Sequence, residues 1–161
     1  MSDPQAGGMA GLVGIQHVSS TVRDLGETLG WYRDVLGVEP FMTMEAEGPE
    51  LSAGLRVPGA ALDVAFLKVG GAWIELIEYV KPDDTNDDVV LRRCDHGAAH
   101  ICFEVEDIQA AYQHLLAHDV DCYNEPTYVP AGPLEGAWFL YFDGPEGLKY
   151  ELHQMPEGWA E

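Results

Sequence analysis

An α+β fold made of two βαβββ modules, their mixed sheets cupped around a shared cavity, is predicted by three observations. The first is an internal repeat: GIQHVSSTVRDLGETLGWYRDVLG, read from His17, recurs in register as GAAHICFEVEDIQAAYQHLLAHDV, read from His100. With histidine laid on histidine, Asp24 falls on Asp107, Leu25 on Ile108 and Leu29 on Tyr112. The second is that each half passes from strand-like alternation to helical spacing and then to hairpins. The third is that each half closes on a short apolar strand carrying one inward carboxylate, Glu75 in AWIELIEY and Glu151 in LKYELHQM.

The elements follow in order. Residues 1–13 are Gly-, Ala- and polar-rich and read as a disordered lead-in to a single domain over 14–155. In module 1 (14–81), Ile15 to Val22 alternates as a strand with His17, Ser19 and Thr21 on its polar face. Asp24 is placed to cap the next helix, with Glu27 three residues on completing a capping box. Leu25, Leu29, Tyr32 and Leu36 form the helix's apolar stripe, and Gly37 ends it. Val38 to Met44 is a strand, Glu45 to Ala60 a long Gly-, Glu- and Pro-rich loop, and Ala61–Val69 with Ala72–Val80 a hairpin across Gly70-Gly71. Residues 82–96 link the modules. Module 2 (97–155) repeats the order: strand Ala98–Val105, helix Asp107–His118, a strand around Asp121–Tyr128, then Ala137–Phe142 and Leu148–Gln154 turned through DGPEG. Residues 156–161 are a tail.

Charge narrows the function. There are 28 Asp and Glu against 8 Lys and Arg, net −20, a surface that repels phosphate backbones and anionic lipid, so neither nucleic acid nor membrane is an expected partner. The one adjacent basic pair, Arg92-Arg93, reads as a solvated loop. Cys94, Cys102 and Cys122 are odd in number and lack CxxC spacing, which suits a reducing compartment; with no signal-peptide pattern and no long apolar run, a cytoplasmic location is expected.

Alternation decides which side chains face the cavity. Ile101, Phe103 and Val105 form the face a helix covers, so His100, Cys102 and Glu104 point the other way. Ile74 and Leu76 pack outward, leaving Trp73, Glu75 and Ile77 inward; Tyr150 and Leu152 pack outward, leaving Lys149, Glu151 and His153 inward. His17, Glu75, His100 and Glu151 are therefore expected to face one space. A bare carboxylate inside an apolar strand is costly to bury, and a divalent cation offsets that cost. Phe41, Met42, Met44, Trp73, Trp138 and Tyr141 are candidates to line an apolar pocket beside it. His114 and His118, four apart on the second helix, are expected on its exposed side.

The segments HVSSTVRDL…WYRDVLG, VAFLKVGGAWIELIEY, AHICFEVEDI and YFDGPEGLKYEL resemble the vicinal oxygen chelate superfamily over roughly residues 14 to 155. That superfamily includes glyoxalase I, methylmalonyl-CoA epimerase, extradiol dioxygenases and the fosfomycin- and bleomycin-resistance proteins. The resemblance implies a divalent metal (Zn, Ni, Co or Mn, with Fe less favoured) held by His17, Glu75, His100 and Glu151. It implies an enzyme, a lyase or isomerase that moves a proton next to a carbonyl of a small carbonyl or thioester substrate. Glu151 is the candidate base, with Asp63 in ALDVAF as a candidate second acid/base group. Two alternatives are an Fe(II) extradiol-type dioxygenase using His17, His100 and Glu151, and a metal-independent small-molecule or drug-binding protein. Glu75 counts against the dioxygenase, whose facial triad leaves no place for a fourth protein ligand. Open sheet edges make a homodimer the default, with the site lying either within one chain or between two.

Overall fold

The computed structural model describes residues 11–83 and 91–159. Most of the expected lead-in, part of the linker and the end of the tail lie outside these described residues. Eight strands form two four-stranded mixed sheets. The first contains β1 (Val18–Val22), β2 (Pro40–Glu47), β3 (Ala61–Val69) and β4 (Ala72–Lys81) in the order β1-β4-β3-β2. The second repeats that order as β5-β8-β7-β6, from β5 (Ile101–Glu104), β6 (Thr127–Tyr128), β7 (Trp138–Asp143) and β8 (Lys149–Gln154). In each sheet the outer strand runs parallel to its neighbour and the remaining pairs are antiparallel. The duplicated α+β architecture is the one the repeat predicts.

Helices α1 (Leu25–Leu36) and α3 (Ile108–Ala117) supply the parallel crossovers. Asp24 caps α1 by accepting from the Glu27 N–H at 2.7 Å, and Gly37 ends it in the left-handed region at φ 67°. Glu27 does not close the expected box. The Asp24 N–H instead donates to Glu146 Oε1 at 2.8 Å, and the neighbouring Arg23 N–H to Glu146 Oε2 at 2.5 Å. Glu146 comes from the other module, so this helix start is also an inter-module tie.

One core serves both modules. Leu25, Tyr32, Val35, Leu67, Ile74 and Leu76 from the first pack in the same buried cluster as Ile108, Leu115, Leu140, Phe142, Tyr150 and Leu152 from the second. The Tyr32 and Tyr150 hydroxyls meet at 2.6 Å, and Trp31 stacks on the Tyr150 ring. Burial raises both phenol pKa values above the ordinary 10.0. The pair therefore remains neutral, each hydroxyl supplying the other's partner in an apolar setting. His114 Nε2 bonds the Val35 carbonyl at 2.8 Å, joining α3 to α1; His114 is a tie between helices rather than a purely solvent-facing residue.

Some boundaries differ from expectation. The loop over 45–60 is the end of β2 followed by a short helix α2 (Pro49–Leu55), with Pro49 in its first turn, where a missing N–H costs nothing. The strand expected around 121–128 shrinks to Thr127–Tyr128 plus a single bridge from Cys122 to Phe142. The turn DGPEG contains a 3-10 helix at Pro145–Gly147. Both histidine-bearing strands begin just after their histidine. No helix among the described residues is long and apolar enough to cross a membrane.

Candidate metal centre

The two halves build the same small constellation. In the first sheet Ser19 pairs with Glu75 across β1 and β4; in the second Cys102 pairs with Glu151 across β5 and β8. Each histidine lies two residues upstream of the residue paired with the glutamate. Parallel register then brings His17 Nε2 to 3.3 Å from Glu75 Oε2, and His100 Nε2 to 2.9 Å from Glu151 Oε2. His17 Nδ1 also contacts the Gln16 side-chain oxygen. An aromatic ring stands edge-on to each imidazole: Phe66, register partner of Glu75, and Tyr141, register partner of Glu151. The carboxylates are the deeper members, with side chains 16% and 13% exposed against 36% and 40% for the imidazoles.

Of the two arrangements left open, a site within one chain or between two, the described residues do not bring the four side chains together within one chain. No three His, Cys, Asp or Glu side chains among the described residues converge as a metal cluster. The reason lies in the packing. Ile74, Leu76, Tyr150 and Leu152 all enter the core between the modules, so Glu75 and Glu151, one residue out of phase, stand on the opposite faces of their sheets. The chain thus carries two equivalent candidate half-sites, each a histidine and a carboxylate already in contact.

Asp63 does not join either half. It pairs with Glu78 across β3 and β4, whereas Phe66 pairs with Glu75, so Asp63 lies on the other face of the sheet. That neighbourhood is the start of α1, where Glu78 accepts from the Leu25 N–H at 2.8 Å. Trp138 likewise packs against the core and not the site. Phe41, Trp73 and Phe66 do form an aromatic group beside Glu75, with Phe41 and Trp73 ring centres 4.9 Å apart.

Around Glu151 the chemistry is more polar. Burial, then the Glu151 carboxylate, pushes the Cys102 thiol up to about 12, which keeps it protonated and unsuited to nucleophilic attack. Burial and Glu151 also raise the Tyr141 phenol above its ordinary value. Arg93, expected in a solvated loop, is instead folded in. Its guanidinium carbon lies 4.3 Å from the Tyr141 ring centre and 4.8 Å from that of Tyr123, and its Nη2 donates to the Phe142 and Tyr150 carbonyls. Arg92, its neighbour, does stay outside, paired with Asp95. No periodicity distinguishes the two arginines, since loops carry none.

A family model described as the Glyoxalase/Bleomycin resistance protein/Dioxygenase superfamily matches residues 14–152. The chain belongs to that superfamily. A curated relative, a 2-epi-5-epi-valiolone epimerase from Actinomyces sp, is 32% identical over 156 residues, spanning 94% of this chain and 84% of its own length. Among solved structures, a glyoxalase family protein from Bacillus cereus superposes with a TM-score of 0.76 at 20% identity, covering 91% of this chain and 98% of that one. The fosfomycin resistance protein FosX from Listeria monocytogenes, solved with Mn(II) and sulfate, superposes with a TM-score of 0.59 at 18% identity over 92% and 98% of the two chains. These likenesses establish the shared fold of this superfamily's members.

Proposed function

We propose that this protein is a divalent-metal-dependent isomerase of the epimerase type, acting next to a carbonyl group of a small molecule, with its active site completed by a second copy of the chain. The observation that carries this reading is the pair of His–Glu contacts in identical register, His17–Glu75 and His100–Glu151. Two imidazoles and two carboxylates suit a borderline divalent ion and neutralise its charge. Deep carboxylates touching more accessible imidazoles fit such a group, because each pair is half of a donor set and has its acceptors already desolvated. His17 and Glu75 of one protomer would hold the ion together with His100 and Glu151 of the other. Mn(II) in the FosX structure and the epimerase activity in the Actinomyces relative's name support the reading.

When bound, the ion would supply Lewis acidity at a substrate oxygen, lowering the cost of removing a proton from the adjacent carbon. Glu151 removes that proton. Its carboxylate sits between His100, the Cys102 thiol and Tyr141, and the protonated thiol does not compete for the role. Glu151 releasing the proton to solvent, with a solvent proton delivered to the opposite face, would invert the centre, whereas its return by Glu151 to the neighbouring carbon would give a 1,2-shift. Asp63, on the wrong face of β3, takes no part. Glu75 stands to His17 as Glu151 does to His100, a four-donor arrangement that disfavours three-ligand dioxygenase chemistry.

The test is solvent-deuterium incorporation at the carbon next to the carbonyl, followed by NMR over a panel of cyclic hydroxyketones and acyl thioesters. The metal-loaded protein exchanges one such proton; E151Q loses about 10²–10⁴-fold of the rate, the range typical of a positioned base. Undiminished exchange in E151Q would contradict the assignment.

A further inference from the structure

Beside the His100–Glu151 half-site lies a small pocket of about 220 Å³, bounded by Arg93, Ala98, Ala99, His100, Tyr141 and Lys149. We propose that this pocket is an oxyanion subsite, seating a carboxylate or phosphate group of the substrate next to the metal. The inference rests on the functional reading above for its link to catalysis, and on the pocket's own chemistry for the ligand class.

Three features point to an anion. First, two of the chain's 8 basic side chains meet here, in a protein with 28 acidic ones. Asp143 stands between them, 3.0 Å from Lys149 Nζ and 4.0 Å from Arg93 Nη2, and Glu151 touches His100 on the same wall at 2.9 Å. Tyr123 adds its hydroxyl to Asp143 at 2.6 Å, so the carboxylate already has partners besides the cations.

Second, the Arg93 guanidinium is fixed before any ligand arrives. Nη2 donates to the Phe142 carbonyl at 3.1 Å and the Tyr150 carbonyl at 2.9 Å, and the Tyr123 and Tyr141 rings lie against it. Its Nε and Nη1 are buried with no hydrogen-bond partner. Buried, unpaired donors on a permanent cation are costly unless an acceptor meets them.

Third, the space is real and well placed. Ala98 and Ala99 keep the wall small, and His100 and Tyr141 are shared with the half-site. In the first module the position of Tyr141 is taken by Phe66, packed with Phe41 and Trp73. One half-site is therefore walled by Phe66, Phe41 and Trp73 and the other by Tyr141 with two cations, which lets the protein tell the two ends of a substrate apart.

The test is calorimetric titration of inorganic phosphate, and separately of acetate, into the full-length protein, both as purified and after chelator treatment. Arg93→Gln risks the fold because Arg93 holds two carbonyls, so Lys149→Met is the deciding variant. Saturable binding of at least one oxyanion is expected in the chelator-treated protein, weakened about tenfold or more in K149M, the scale of a charge-assisted contact. Preference for phosphate or acetate identifies which group the substrate carries. Unchanged affinity in K149M, or no saturable binding of either oxyanion, overturns the proposal. Metal uptake is measured on the same samples: failure there while the oxyanion still binds removes the catalytic reading and leaves the subsite standing.

Discussion

Glu75 and Glu151 are each more enclosed than the histidine they touch, an arrangement that costs free energy unless a cation is shared. Changing either to Gln keeps its size and removes its charge. E75Q and E151Q are expected to lose divalent-metal affinity by more than the roughly 10–100-fold that partners of metal ligands contribute, read by titration with Mn(II). Equal affinity in wild type and both variants would refute the ligand set. The Tyr32–Tyr150 pair makes a prediction about pH. Both folded pKa values are raised above 10.0, so the folded state holds protons that the unfolded chain releases. Its contribution is complete below the ordinary tyrosine value and declines as pH rises beyond it. Y150F should blunt that alkaline loss while costing about 1 kcal/mol near neutral pH, measured by denaturant unfolding at both values. At this scale strand alternation separated Glu75, Glu151 and Lys149 from Ile74, Leu76, Tyr150 and Leu152, but did not decide which of the two faces enters the core between the modules. Asp63, a candidate only through the resemblance, shares the side of β3 that carries the core residues Ala65 and Leu67, away from both His–Glu pairs.

The short 3-10 segment Pro145–Gly147 shows how an element too brief to predict can position larger ones. Glu146 has φ 56°, and this unusual backbone carries its carboxylate to the start of α1, where two N–H groups await acceptors. Glu146→Ala leaves those donors without their anion and should destabilise the fold by about 1–2 kcal/mol, the worth of a good N-terminal cap. No change in denaturant midpoint would show that the tie is ornamental. Gly144, just before it, has no room for a side chain: a Cβ there would lie 2.2 Å from Tyr150 Cε2. Gly144→Ala must displace a core tyrosine and is expected to cost about 1–3 kcal/mol. The helices α1 and α3 were legible because Asp24 and Asp107 cap them and their apolar residues fall on one stripe. Helix α2 was not, because its composition is that of a loop and none of its residues is buried.

Across the molecule, duplication explains both what was foreseen and what was not. The repeat revealed two equal modules and four donors, yet their mutual orientation depends on which faces pack together. The core joins the helix-bearing faces through Tyr32, Tyr150 and His114, and the donor-bearing faces stay open. Strands β1 and β5 are left as sheet edges, and Val18, Phe41, Met42 and Met44 are exposed in the first module. Under the proposed function, a second copy bringing the opposite His–Glu pair would cover these unpaired edges and exposed apolar side chains. The most direct measurement is Mn(II) stoichiometry in mixed dimers of H17A and H100A. Each variant alone should bind no tight metal, since every site lacks one imidazole. Unfolded together and refolded at equal amounts, half the dimers become mixed and regain one intact site, giving about one Mn(II) per four chains. No recovery of metal in the mixture would contradict a site shared between two copies.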